Sequence, residues 1–201
     1  MKKYFLSSVL FLAVLLNAFG QVPQKAEDVS PLMISQKIPK VEVLSVSGKA
    51  VKITDIIKKK PSVLIFYRGG WCPFCNRHLS ALGEVQQEIL DLGYQIIAIS
   101  PDTPARLKET LEEDNLTYSL YSDIKGDLIK GMGLAFEAPE KYKNLLDKIS
   151  DGKHAKVLPI PGVFVLDTKG VIEFEYVSPD YRNRISADLL TSVLKSLNKE
   201  Q

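Results

Sequence analysis

The chain has 201 residues, 45% hydrophobic and 25% charged, with 26 Lys and Arg against 24 Asp and Glu. That length and balance suit one domain with a full core and exclude a disordered or fibrous chain. The formal net charge is only +2, and no basic patch argues for nucleic acid or a membrane surface as partner.

The first twenty residues stand apart. Met1-Lys2-Lys3 carries positive charge, Tyr4 to Leu16 is apolar, and Ala18-Phe19-Gly20 puts small residues where a signal peptidase reads. The pattern predicts a cleaved secretory signal over 1–20 with Gln21 as the new N-terminus, and therefore an exported, periplasmic protein. An apolar run of about thirteen residues is short for a bilayer span. Losing Lys2 and Lys3 from 26 basic residues leaves 24 against 24 acids, a near-neutral processed chain.

Residues 21–37 are polar, proline-bearing and without period, which predicts a flexible leader before a domain over 38–201. Val41 to Val46 alternates, Ser47-Gly48-Lys49 turns, and Ala50 to Ile53 resumes, an N-terminal β-hairpin. Ser62 to Tyr67 is an apolar run suited to a central strand buried on both faces. Leu79, Leu82, Val85 and Ile89 recur at helical spacing, and Gly93 stops that helix before a strand over Tyr94 to Ile99. Thr103-Pro104 reads as an N-cap and first-turn pair opening a helix to about Asp114. Thr117 to Tyr121 reads as strand and Ile124 to Lys130 as a short helix.

The stretch 137–160 is charged, helical around Lys141 to Ile149, and reads as an insertion. Val163 to Asp167 and Val171 to Tyr176 flank Thr168-Lys169-Gly170 as a second hairpin. Ile185, Leu189, Leu190 and Leu194 make the apolar face of a closing helix. Strands alternating with helices predict an α/β fold, a central mixed sheet flanked by helices.

Chemistry concentrates in Phe66-Tyr67-Arg68-Gly69-Gly70-Trp71-Cys72-Pro73-Phe74-Cys75-Asn76. Cys72 and Cys75 are the only cysteines in the chain. A ring this small restricts little unfolded-chain entropy, so a structural staple is a poor explanation for the pair. If Pro73 is the first helical residue, Cys72 is the N-cap, where unpaired N–H groups and the helix dipole stabilise a thiolate. One thiol then attacks a disulfide or peroxide, and the other, three residues away, resolves the product. Arg68, Arg77 and His78 are near enough in sequence to lower a thiol pKa further.

Other readings of the spacing fit less well. Zinc takes paired motifs and there is no second Cys-x-x-Cys. Covalent haem wants His directly after the second cysteine, where Asn76 stands. No metal or cofactor is therefore expected. Pro161, before the strand Val163 to Leu166, either starts that strand or holds a cis peptide that presents a backbone edge to an extended substrate.

From about Lys37 to Leu197 the chain resembles the thioredoxin-fold superfamily, in its alkyl hydroperoxide reductase/thiol-specific antioxidant, peroxiredoxin-like branch. The carriers are Ser47-Gly48-Lys49 with Ile53 to Ile56, Val63 to Asn76, Ile99 to Thr103, Leu120 to Asp123, and Pro161 to Asp167 followed by Gly170. The resemblance implies a thioredoxin-like fold and a redox-active pair, and favours the cis reading of Pro161. Peroxiredoxins are expected to carry Thr-x-x-Cys and an arginine before the late strand. This chain has Cys72 at the threonine position, Cys75 at the peroxidatic position and Pro161 at the arginine. Trp71-Cys72-x-x-Cys75 with Pro161 is instead the thioredoxin-like pattern, in which Cys72 attacks and Cys75 resolves.

Three functions stay open at this point. The first is an exported thiol-disulfide oxidoreductase acting on protein disulfides with an unidentified thiol reductant. The second is a thiol-dependent peroxidase with Cys75 peroxidatic, Cys72 resolving and Arg68 replacing the missing arginine. The third is a non-enzymatic binding module in which the cysteines are incidental. The candidate site is Cys72, Cys75, Trp71, Arg68 and Pro161.

Overall fold

A computed structural model describes residues 22–150 and 152–198. The expected signal segment over 1–20 lies outside them. A short 3-10 turn at Ala26–Asp28 precedes the elements proper. These are β1 (Glu42–Ser45), β2 (Ala50–Lys52), α1 (Ile53–Ile57), β3 (Ser62–Phe66), α2 (Pro73–Glu84), α3 (Gln86–Asp91), β4 (Gln95–Ser100) and α4 (Pro104–Glu113). There follow β5 (Ser119–Ser122), α5 (Asp127–Gly131), β6 (Ala135–Glu137), α6 (Glu140–Ser150), β7 (Val157–Pro159), β8 (Gly162–Leu166), β9 (Ile172–Val177) and α7 (Ala187–Asn198).

Seven strands form one mixed sheet in the order β2-β1-β5-β4-β3-β8-β9. β3 lies parallel to β4 and antiparallel to β8. Both faces of this central strand are covered, which is why Ser62–Phe66 is continuously apolar after its first residue and entirely buried. Its side chains alternate between two cores. Leu64 and Phe66 enter one with Ile53, Ile97, Leu128 and Leu146. Val63 and Ile65 enter the other with Leu79, Leu82, Leu107 and Leu190. Each Leu or Ile buried this way contributes roughly 1.5–3 kcal/mol. Phe66 locks β3 to β8 by packing edge-on against Phe164, centroids 5.8 Å apart.

Both expected hairpins form, with β1 antiparallel to β2 and β8 to β9. Thr103 caps α4, its hydroxyl accepting from the Arg106 N–H at 3.3 Å. The helix expected from the dithiol to Gly93 is two, because Val85 leaves helical geometry at φ −101°, ψ 9° and separates α2 from α3. The 137–160 stretch contains α6, and its ends pair as β6 and β7 in a small separate sheet.

Residues 22–37, expected as a flexible leader, are tied to the domain. Pro23 accepts from the Glu137 N–H at 2.8 Å, Met132 from Leu32 at 3.0 Å and Ile172 from Ser35 at 2.8 Å. Val22, Ala26, Val29 and Leu32 pack on the first core. Several backbone polar groups of this segment are bonded without forming a regular strand, which leaves no period to read.

Gly133 shows how close that contact is: at φ +69° a Cβ would be driven into the Ser30 carbonyl oxygen. Gly48, at φ +79° in the first hairpin, has nothing within 4 Å of such a Cβ. Gly48→Ala is expected to cost about 1–2 kcal/mol from the left-handed backbone alone. Gly133→Ala must cost more, because backbone has to shift as well; urea unfolding midpoints of the two variants check the order.

Candidate active site

The site is built where β3 runs out. Tyr67 continues the parallel ladder, its N–H bonding the Ile99 carbonyl at 3.0 Å, and this delivers Arg68 to the end of the sheet. Gly69 then turns at φ +137°, and a Cβ there would lie 2.5 Å from Trp71 Nε1 and 2.7 Å from Asp102 Oδ1. Gly70 is held from two sides. Its N–H donates to Asp102 Oδ2 at 2.8 Å, and its carbonyl accepts from Asn76 Nδ2 at 2.9 Å. Asp102 in turn accepts from the Ser100 hydroxyl at 3.2 Å, and burial pushes its carboxyl up to about 6.

Cys72 is the N-cap of α2 and Pro73 its first residue, as the spacing predicts. The Cys72 carbonyl accepts from the N–H groups of Cys75 and Asn76 at 2.9 and 3.1 Å. Cys75, His78, Leu79 and Leu82 share the buried face of the helix. Cys75 is on the inward face of the helix and Cys72 at its tip, and both are buried free thiols. Donation from the Cys75 thiol is the main force holding Cys72 down, to about 6. The Cys75 N–H and the charges of Arg68 and Arg184 add to it, against the cost of burial. Burial first, and then the bond to Cys72, pushes the Cys75 thiol well up. The surroundings thus favour the negative charge at Cys72 and disfavour it at Cys75.

Arg68 is only 3% exposed. Its guanidinium carbon lies 4.8, 4.8 and 4.3 Å from the ring centroids of Trp71, Tyr142 and Tyr181. Trp71 and Tyr142 pack at 5.1 Å, and Phe74 meets Tyr181 edge-on at 5.6 Å. The other two basic candidates do not serve the thiols. Arg77 is exposed and leans on the Phe74 ring at 5.8 Å. His78 is buried with Nε2 unpartnered, and burial together with Arg184 drives it down to about 4, so it is neutral.

Pro161 requires a correction. The Ile160–Pro161 bond is trans, like every peptide bond among the described residues. Phe66 pairs with Gly162, so Pro161 stands opposite Tyr67 beside the site. Its carbonyl is committed to the Ser178 N–H at 3.2 Å. The proline is at the expected place, beginning a strand.

Sequence reasoning missed Arg184, whose Nη2 lies 3.6 Å from Cys75 Sγ across 109 residues. It missed Tyr142 and Tyr181 too, which no motif marks. Asp102 carried a signal, standing at the end of a buried strand directly before the Thr103 cap, but nothing local says that it holds Gly70.

The AhpC/TSA family profile matches residues 34–175. The chain belongs to the AhpC/TSA family. Among curated members, the peroxiredoxin Bcp of Escherichia coli is 26% identical over 166 residues, 83% of this chain and 97% of its own length. A thiol-disulfide oxidoreductase, ResA of Bacillus thuringiensis, is 27% identical over 121 residues, 60% of this chain and 66% of its own. Reduced Prx3 of Vibrio vulnificus in complex with hydrogen peroxide superposes with TM-score 0.69 at 15% identity, over 81% of this chain and 99% of that one. Peroxidoxin BcpB of Mycobacterium tuberculosis gives 0.66 at 17%, over 84% and 97%. The fold is thioredoxin-like, of the peroxiredoxin-like branch, and the protein is an oxidoreductase that works by thiol chemistry.

Two outcomes follow from the charges of this AhpC/TSA site. Iodoacetamide should alkylate the reduced protein at Cys72 with a half-maximal rate near pH 6, against about 8.5 for a free thiol. Cys75→Ala should move that midpoint upward, since the leading donor is gone. For His78, the folded value near 4 lies below the ordinary 6.5, so the unfolded chain takes up the proton first as pH falls. Stability should therefore drop between pH 6.5 and 4, by up to about 3 kcal/mol from this residue. The raised carboxyl of Asp102 contributes in the opposite sense over part of that range. Comparing wild type with His78→Asn at pH 7 and pH 4.5 isolates the histidine, whose variant should lack that drop.

Proposed function

We propose that the protein is a thiol-disulfide oxidoreductase in which Cys72 attacks and Cys75 resolves. The observation that carries this is the placement of the two thiols, Cys72 at the N-cap of α2 and Cys75 on its buried face, and their surroundings lower the pKa of the first thiol and raise that of the second. The Cys72 thiolate attacks one sulfur of a substrate disulfide, that S–S bond breaks, and the departing sulfur leaves as a thiolate. Cys75, giving up its proton, then attacks Cys72 of the mixed disulfide and releases the second substrate thiol. The protein is oxidised by two electrons and the substrate reduced by two; the reverse sequence oxidises a dithiol. The likeness to a ResA protein supports this reading.

A second reading rests on Arg184. Its contact with Cys75 Sγ puts a fixed positive charge where a peroxide oxygen would be polarised, and relatives are named peroxiredoxins. Here the Cys75 sulfur takes an oxygen from the hydroperoxide and releases an alcohol or water. Cys72 then closes the disulfide with loss of water, and a thiol reductant restores the pair.

We also infer export, from the charge, apolar run and small residues within 1–20. N-terminal sequencing of the protein from its native host should begin at Gln21.

Rapid mixing followed by Trp71 fluorescence separates the two chemistries. With a disulfide substrate, Cys75→Ser should stop at a mixed disulfide on Cys72, seen by mass spectrometry, and Cys72→Ser should be inert. Hydrogen peroxide should oxidise the wild type no faster than a free thiol. Fast, saturable peroxide oxidation that survives in Cys72→Ser and vanishes in Cys75→Ser would establish the peroxidase instead.

A further inference from the structure

A groove of about 300 Å³ has Arg68 in its wall; neither cysteine lines it, and Arg68, whose charge reaches Cys72, stands between the groove and the dithiol. That volume is at the small end of the range for organic ligands. Its apolar sides come from β6, the end of the 137–160 segment and the residue before β8, including Phe136, Ile160 and Pro161, and Tyr142 and Tyr181 close it next to Arg68. Of the charged residues that line it, Lys25, Arg68 and Lys141 are basic and Glu27 alone is acidic.

Arg68 is the unusual member. A guanidinium this buried normally faces a carboxylate, because an unpaired buried charge is costly. Among the described residues no carboxylate forms an ion pair with Arg68, and its buried Nε has no hydrogen-bond partner. The three aromatic rings offset part of the charge. On the dithiol side the charge on Cys72 offsets more; on the groove side the Tyr142 hydroxyl is drawn to Arg68, but no carboxylate among the described residues pairs with it.

We propose that Arg68 anchors an organic carboxylate in this groove, and that the disulfide presented to Cys72 belongs to a small molecule carrying such a group on an apolar body. The second half rests on the disulfide-exchange reading above; the first does not. A carboxylate matches the in-plane N–H geometry of a guanidinium and is bound most tightly where water is excluded. Lys141, exposed at the rim with its Nζ 5.0 Å from the Tyr142 ring, draws the anion in. The apolar walls take the hydrocarbon, and the anchored end lies next to the residue whose charge Cys72 feels. Exchange is balanced: the protein dithiol and one substrate disulfide become the protein disulfide and two substrate thiols.

The test has a binding arm and a reaction arm, both on the full chain, with the binding arm run at low and at high salt. In the first, 3-phenylpropionate and its uncharged amide are titrated into the oxidised protein with Trp71 fluorescence as readout. The carboxylate should bind roughly tenfold tighter or better, as expected for a charge-assisted bond. Arg68→Gln should erase that preference, Arg68→Lys should keep part of it, and Lys141→Gln, at an exposed position, should reduce it about twofold to threefold. If Arg68→Gln does not fold by circular dichroism, Lys141→Gln and the loss of preference at high salt decide. Equal affinity for acid and amide in wild type overturns the proposal.

In the second arm, 3,3′-dithiodipropionate and its diamide oxidise the reduced protein, with the Cys72 alkylation midpoint measured for each variant to separate substrate binding from thiolate formation. Faster oxidation by the diacid, lost in Arg68→Gln beyond what the thiolate fraction explains, supports the substrate assignment. Equal rates through Cys72 overturn it while leaving disulfide exchange standing. No oxidation through Cys72 by either compound, alongside a carboxylate preference in the binding arm, overturns disulfide exchange and the substrate assignment and leaves the anion site.

Discussion

The dithiol depends on how one residue without a side chain is held. Gly70 donates to Asp102 and accepts from Asn76, so the loop entering α2 is fixed by the end of β4 on one side and by the helix itself on the other. Its position leaves no room for a Cβ, which would run into the Thr110 hydroxyl. With Gly70 fixed, Cys72 falls at the N-cap and α2 begins at once, directing its first N–H groups at the Cys72 carbonyl. The Asp102 carboxyl is buried to do this, and the N–H of Gly70 and the hydroxyl of Ser100 offset that burial.

The second organising feature is charge. Arg68 and Arg184 approach the dithiol from different parts of the chain, and both favour a negative sulfur. Oxidation removes that charge and leaves the two guanidinium groups behind. Groups that stabilise a thiolate favour the dithiol over the disulfide, which moves the couple toward the oxidising side. The two residues differ in what they touch. Arg184 touches Cys75, the inner sulfur, whereas Arg68 is caged between the dithiol and the groove.

The groove itself is a product of the additions to the sheet. The 137–160 segment folds back on itself as β6, α6 and β7, and α6 brings Tyr142 to Trp71. The leader crosses this segment through the bond from Glu137 to Pro23, which places Lys25 and Glu27 along the opening. A wall made this way holds fewer regular hydrogen bonds than the central sheet, so it is the part of the site best able to adjust to a ligand.

Local pattern determined the sheet strands, the two hairpins, the Thr103 cap and the Cys72 N-cap, because each follows from a period or a capping residue within a few positions. It marked Cys72 and Cys75 as the candidate reactive pair, since the sequence holds no other cysteine. The family resemblance pointed to Pro161 as a neighbour of the site without telling its geometry, and Asp102 was not singled out: the placement of Pro161 and the bond from Gly70 to Asp102 depend on the register of β8 and β4 against β3. The held leader and the break at Val85 were not legible, because neither has a repeating signal. Arg184, Tyr142 and Tyr181 were beyond reach for a simpler reason. Electrostatic and aromatic contacts act through space, and the packing of α6 and the loop before α7 on the end of the sheet decides which charges and rings meet the sulfur.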